Sequence, residues 1–187
     1  MSKIAKMYAE SFGELKNVRS LVGLAMLTAL NVALSFVGTV EVTQTLKVGT
    51  SFLAVALTGM LYGPAAGGAA AALGDVIGYL LKPTGPYFPG FTLSAFLGGT
   101  VYGLFLYRGK ITVLRAVLSK GLLNLAVNMG LNTLWSSLLY GKGFFVILPA
   151  RALKNALLLP LEAAVLYLVL RLALAALRQA RLIRIPR

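Results

Sequence analysis

The chain has 187 residues, 58% of them hydrophobic and 12% charged. Soluble domains carry about 45–50% and about 25%, so the composition indicates a polytopic membrane protein. Cysteine and histidine are both absent, which removes disulfides, thiolate chemistry, the usual general base and the commonest metal ligand. The net charge of +13 gathers at the ends of apolar segments, which fits the positive-inside rule better than nucleic-acid binding.

Residues 1–19 are polar and of mixed charge, unlike a cleavable signal peptide. Stretches of about 20 apolar residues can cross a bilayer, and six spans are expected, at 20–38, 51–62, 65–81, 91–107, about 121–140 and 148–170. The expected fold is an all-α, six-helix integral membrane domain over 1–187, with basic tails at 1–19 and about 171–187. A polar loop at 39–50 carries Glu41, Gln44 and Lys47; the 51–62 span is short, and Gly63-Pro64 makes a tight turn after it.

An even number of spans puts both termini on one side. That side holds Lys3, Lys6, Lys16, Arg19, Arg108, Lys110, Arg115, Lys120, Arg171, Arg178, Arg181, Arg184 and Arg187, while the other holds Lys47, Lys82, Lys142, Arg151 and Lys154. Thirteen against five makes the termini cytoplasmic. The 82–99 loop then faces outward.

The third span presents Gly63, Gly67, Ala71, Gly74 and Gly78 on a face of small residues, which lets helix backbones approach closely inside the protein. The first span carries Ala25, Ala29 and Ala33 at four-residue spacing, a stripe suited either to internal packing or to another protein's helix. Asp75 and Glu162 are the acids within the spans. Intramembrane charge is costly and points to function, but two isolated carboxylates read better as structural partners of basic groups or backbone N–H than as a proton relay. Gly103 to Gly109-Lys110 has the wrong spacing, and Ile111 where Ser or Thr is required, so it is no phosphate-binding loop.

KPTGPYFPGFTLSAFLGG, residues 82–99, holds Pro83, Pro86 and Pro89 with Tyr87, Phe88 and Phe91. Prolines at this density forbid helix and stiffen the chain. Irregular backbone near a bilayer belongs over a cavity, in water or under protein, so the loop reads as a pocket lid or as an interfacial aromatic belt. On the fifth span Asn128 and Asn132 share a helix face, with Trp135 one turn further. Tyr140 and Lys142 follow, and Arg151, Lys154 and Asn155 open the sixth span. Amides read polar ring edges, aromatics stack on planar rings, and Arg with Lys captures carboxylates. The set describes a site for a planar, anionic, heteroaromatic solute; the competing reading is interhelical Asn pairs with snorkelling basic chains.

The runs LGDVIGYLLKPTGPYFPGFTLSAFLGG, NTLWSSLLYGKGFF and LPARALKN resemble the folate-specific S components of energy-coupling factor (ECF) vitamin transporters. The resemblance spans all six segments in order and leaves out the tails. It implies a non-enzymatic membrane subunit without cofactor or metal, in the prokaryotic plasma membrane, that binds folate or a reduced folate from outside. It further implies a partner T component and two ATPase subunits, with release inside by reorientation of the subunit. Ala25 and Ala29 resemble the family's docking stripe for the T component. An S component for riboflavin or pantothenate, or a non-transporting membrane scaffold, is the alternative; a neutral vitamin such as riboflavin would not need Arg151 and Lys154.

Overall fold

The structure, a computed structural model, describes residues 3–43, 46–83 and 85–179. Gln44, residue 84 of the proline loop, and Arg181, Arg184 and Arg187, counted above, lie outside the described residues.

The first element, α1 (Lys3–Glu14), is an amphipathic helix outside the expected spans. Asn17 opens α2 (Val18–Val37), its side chain accepting from the Arg19 N–H at 3.0 Å. The expected loop at 39–50 is instead a hairpin, β1 (Thr39–Thr43) and β2 (Leu46–Gly49), with Thr39 opposite Gly49 and Val40 opposite Val48. The all-α expectation is corrected to that extent. The alternating β-branched residues of TVEVT supply the reason.

Helix α3 (Phe52–Leu81) is two helices joined at Gly63-Pro64. Gly63 has φ +84°, a left-handed value that glycine takes at no steric cost, and Pro64 starts the second half, where its missing N–H matters least. The halves run back along each other. A Cβ at Gly67 would stand 3.0 Å from the Gly59 Cα, whereas eight residues of straight helix span about 12 Å. The hydroxyl of Ser11 on α1 donates to the Tyr62 carbonyl at 2.6 Å and accepts from the Ala66 N–H at 3.0 Å. It thereby satisfies backbone groups that the turn strands. Glu10 pairs with Arg108 at 2.9 Å and holds α1 to the chain beyond α4 (Pro89–Leu106).

The first half of α3, about eleven residues and roughly 16 Å long, is too short to cross a hydrocarbon core of about 30 Å alone. It is instead covered by protein, with Ala54 and Ala56 fully buried. The glycine face expected on the third span packs internally: Gly63, Gly67, Ala71 and Gly74 are buried. Gly59 and Gly67 meet Gly103 and Gly99 of α4, where no side chain fits between backbones.

The fifth expected span begins earlier than residue 121. It is one rod of α5 (Val113–Leu122), a π-helical stretch (Leu123–Leu131) and α6 (Asn132–Tyr140). Last comes α7 (Phe144–Gln179), which overruns the expected 148–170 at both ends and contains Pro149 and Pro160. Besides α1, six helical segments are therefore present among the described residues. Four elements, α2, α3, α4 and α7, are long and apolar enough to cross a membrane. The apolar core sits where α3, α4, α5 and α7 converge, around Met60, Tyr102, Leu106, Ala116, Leu166 and Leu170.

Candidate functional site

A cavity of about 570 Å³ opens between the hairpin, both halves of the bundle and the proline loop. That lies within the about 300–1,000 Å³ usual for small-molecule sites. Thr39, Gly49 and Ser51, which precede the short first half of α3, line the cavity beside its first residue, Phe52.

The lid wall is aromatic. Tyr87, Phe88 and Phe91 line the cavity, as does Tyr140. Phe88 meets Phe91 edge-on at 6.1 Å and Trp135 at 5.6 Å between ring centroids. Tyr79 packs on Tyr87 at 5.1 Å and donates to the Gly85 carbonyl at 3.0 Å, tying the loop to α3. A second tie runs through Thr92, whose hydroxyl donates to Asp75 Oδ2 at 2.7 Å and lies 2.9 Å from Tyr87 Oη. Asp75 therefore finds a hydroxyl where a basic or backbone partner was expected, and it lines the cavity.

The opposite wall is polar. Asn132 donates to Asn128 at 3.2 Å, and Asn128 donates to Asn124 at 2.9 Å, making a ladder down the π-helix. Arg151 reaches across from α7: Nη1 donates to the Asn128 carbonyl at 3.2 Å and Nη2 to Ser136 Oγ at 2.7 Å. Thr133 Oγ1 also donates to that carbonyl, at 3.3 Å. Within the described residues, Arg151 Nε, Asn132 Oδ1 and Asn155 Nδ2 are buried without a protein partner. Such groups are costly unless a ligand or water meets them, and Arg151, Asn132 and Asn155 all line the cavity.

Nine of the twelve residues singled out from the sequence thus share this space: Tyr87, Phe88, Phe91, Asn128, Asn132, Tyr140, Arg151, Lys154 and Asn155. Three do not line it. Pro89 is the exposed first residue of α4, and Lys142 is exposed in the short α6–α7 connection. Trp135 stands behind Phe88, with Nε1 donating to Ser94 Oγ at 3.1 Å. An α-helix would align Trp135 with Asn128, but a π-turn takes up an extra residue, so Ser136 occupies that wall in its place.

Lys120 was counted as a cytoplasmic surface charge, and this is corrected. Its side chain is 6% exposed, pairs with Glu162 at 3.2 Å and lies 3.6 Å from the Phe52 ring centroid, with all three residues lining the cavity. Glu162 is the structural partner of a basic group that its isolation suggested. Asn124 was missed too, although its four-residue spacing from Asn128 carried the signal.

On α2, Ser20, Leu24 and Val32 face inward, while Ala25, Ala29 and Ala33 are exposed. The stripe takes no part in internal packing.

The family model for the substrate-specific component of ECF transporters matches residues 19–170. The chain is 37% identical over 153 residues to the folate transporter FolT of Clostridium novyi (strain NT), covering 82% of this chain and 88% of that protein. It is 32% identical over 162 residues to the folate transporter FolT of Leuconostoc mesenteroides subsp. mesenteroides, with 82% and 85% covered. Among solved structures it matches FolT bound with folic acid at a TM-score of 0.77 and 35% identity, over 82% of this chain and 94% of that one. A helical membrane bundle folded around a solute-sized cavity, matched over most of its length by these proteins, belongs to the substrate-specific components of ECF transporters.

Proposed function

We propose that the chain is a folate-binding S component, which captures folate or a reduced folate from outside and releases it inside by reorienting within an energised complex. The observation that supports this most is the union of aromatic lid, amide ladder and a half-committed Arg151 in one cavity, in a chain 35% identical to a FolT bound with folic acid. Phe88, with Tyr87 and Phe91, would stack on the pterin. Asn128, Asn132 and Asn155 would meet polar edges, and Arg151 with Lys154 would hold the glutamate carboxylates. Tyr140 would close the rim, with Lys142 outside it. The subunit works by binding and movement, with no covalent step. Its partners would be a T component, met along Ala25 and Ala29, and two ATPases.

The test is thermal stability of the purified protein against a vitamin panel. A ligand at 100 times its dissociation constant adds about 2.7 kcal/mol to stability. Folates should raise the melting temperature, and riboflavin and pantothenate should leave it unchanged; a shift with either of those alone would overturn the folate reading.

Six crossings with both termini cytoplasmic in the plasma membrane complete the proposal. A cysteine replacing Lys110 should label only from the cytoplasm, and one replacing Lys142 from outside. Outside labelling at position 110 would reverse the orientation and move the cavity mouth to the wrong side.

Trp135 supports the ring wall from behind, so its role is separable from stacking. Stacking of a base on an aromatic contributes about 1–3 kcal/mol. Phe88→Ala should therefore weaken folic acid binding by roughly one to two orders of magnitude. Trp135→Phe keeps a ring against Phe88 and should cost less. Titrations of both variants rank the two positions, and the opposite ranking would put Trp135 on the ligand.

A further inference from the structure

We propose that α1 is an in-plane membrane anchor, whose apolar face lies in the cytoplasmic leaflet and whose flanking basic residues bind anionic lipid headgroups. The inference is independent of the vitamin; from the reading above it takes only the cytoplasmic placement of the N-terminus.

Three observations carry it. The first is that α1 wears its amphipathicity inside out. At 3.6 residues per turn, Ile4, Ala5, Tyr8, Ala9 and Phe12 share an arc of about 140°, and Glu10, Ser11 and Glu14 lie outside it. The polar side is the one that faces protein. Ser11 is fully buried on the Gly63-Pro64 turn, Glu10 pairs with Arg108 at 2.9 Å, and Glu14 accepts from the Ser20 hydroxyl at 2.6 Å. Ile4 and Phe12 meanwhile stand 57% and 56% exposed, with Ala5 and Ala9 exposed between them. A helix on a water-soluble domain buries its apolar stripe. Turned outward, the stripe suits an apolar solvent, and a bilayer surrounds this bundle.

The second observation fixes the depth and the direction of the helix. Only Leu15 to Asn17 separate α1 from α2, which is long and apolar enough to cross the membrane. Leu15 packs against the cluster of Leu24, Ala66 and Ala70, and Val18, Leu21 and Val22 expose apolar side chains directly after the link. Glu14 is held to α2, Ser11 to the turn in α3, and Glu10 to the chain beyond α4. Tied at those three points, α1 lies across the ends of the bundle at the level where the bilayer begins.

The third observation is charge. Lys6 borders the apolar arc, Lys16 and Arg19 follow the helix, and all three are exposed. Both acids of α1 are turned to the inward partners named above, so the outer side presents cations. Basic residues beside an apolar helix face are the composition of interfacial helices, and each one near an anionic leaflet adds to the attraction. The helix lies before residues 19–170, the part that matches the family model, so the family assignment does not account for it.

The chain has no cysteine, so single cysteines can report depth. Full-length protein with Ile4→Cys, Phe12→Cys or, as the wet reference, Lys110→Cys is spin-labelled and reconstituted in phosphatidylcholine vesicles with or without phosphatidylglycerol. Oxygen concentrates in the bilayer, whereas a nickel chelate stays in water. With phosphatidylglycerol present, the oxygen-to-chelate collision ratio at positions 4 and 12 should exceed that at position 110 about tenfold, as for side chains about 5–10 Å into the headgroup–acyl boundary. Omitting phosphatidylglycerol, or adding Lys6→Gln with Lys16→Gln in its presence, should lower the ratio at position 12 about fivefold or more, the scale of a basic residue's attraction to an anionic surface. The substituted side chains are exposed, and Ala9→Cys supplies a third position on the arc should one variant unfold. Equal ratios at positions 4, 12 and 110 would overturn the anchor and leave the apolar face to a protein partner. A ratio indifferent to phosphatidylglycerol and to both lysines would overturn the assignment of headgroups. Labelling of position 110 from outside would overturn the cytoplasmic placement alone, because a helix set in the other leaflet gives the same ratios.

Discussion

Arg151→Ala should weaken folic acid binding by about 10- to 150-fold, the 1.5–3 kcal/mol usual for a hydrogen bond to a charged group. The loss should be much smaller for pteroic acid, which lacks the glutamate. Geometry sharpens the expectation. The guanidinium is held across the helix gap by the Asn128 carbonyl at 3.2 Å and by Ser136 Oγ at 2.7 Å, while Nε is buried without a protein partner. Five N–H donors in a rigid fork allow two to fix the plane and the rest to face a carboxylate. Pre-set orientation lowers the cost of binding, because less side-chain freedom is lost when the ligand arrives. Arg151→Lys should rescue little, since an ammonium cannot hold both wall contacts and a carboxylate in that plane. Lys142→Ala should cost less than either, because an exposed charge is screened by water and salt. Comparing folic acid with pteroic acid on wild type and variants decides the matter. Equal losses for both ligands would mean that Arg151 serves the π-helical wall and that the carboxylates are held elsewhere.

Where periodicity and backbone-breaking residues speak directly, the sequence placed the fold well. Gly63-Pro64 marked the turn between two helices, and the small-residue face beyond it marked the helix contact that Gly67, Gly99 and Gly103 make. The prolines of the 82–99 loop and the Asn128, Asn132, Arg151 and Asn155 spacing drew nine of twelve candidate residues into one cavity. Three features stayed hidden, each for a physical reason. The hairpin at 39–49 reads as a polar loop because its pairing partner is only a few residues away and its strands are short. The π-turn leaves no compositional mark, yet it rotates everything after Leu131, so Trp135 turns behind the wall and Ser136 comes onto it. Lys120 sits at the edge of an apolar stretch and reads as a flanking charge; only the fold brings α7 close enough for Glu162 to pair with it. Charge counting assumes that a basic residue near a span end is wet, and here burial overrules it.

Leucine at both Ala25 and Ala29 should abolish vitamin uptake in cells while leaving binding by the isolated subunit within about twofold. The ligand side of this expectation follows from where α2 touches the rest of the protein. Its inner face carries Leu24 and Val32, Gly23 packs on Tyr62, and Asn31 meets Gly74 and lines the cavity. Ala25, Ala29 and Ala33 lie away from these contacts, exposed among Leu21, Val22, Met26 and Leu30. Larger side chains there add volume on the lipid side and disturb no packed neighbour. The partner side follows from how helices associate in lipid. The hydrophobic effect supplies no drive between them, so attraction comes from close backbone approach across small residues. A leucine at each of two positions one turn apart would hold a partner helix off along its length and forfeit most of the dispersion contacts, which fade within an ångström of separation. In the proposed function, uptake would need the assembled complex and binding would not. Ligand titration of purified protein, co-purification with the T component and uptake in cells separate the steps. Loss of binding together with uptake would show that the stripe serves the subunit's own fold. Full uptake with intact binding would place the partner on another face of the bundle.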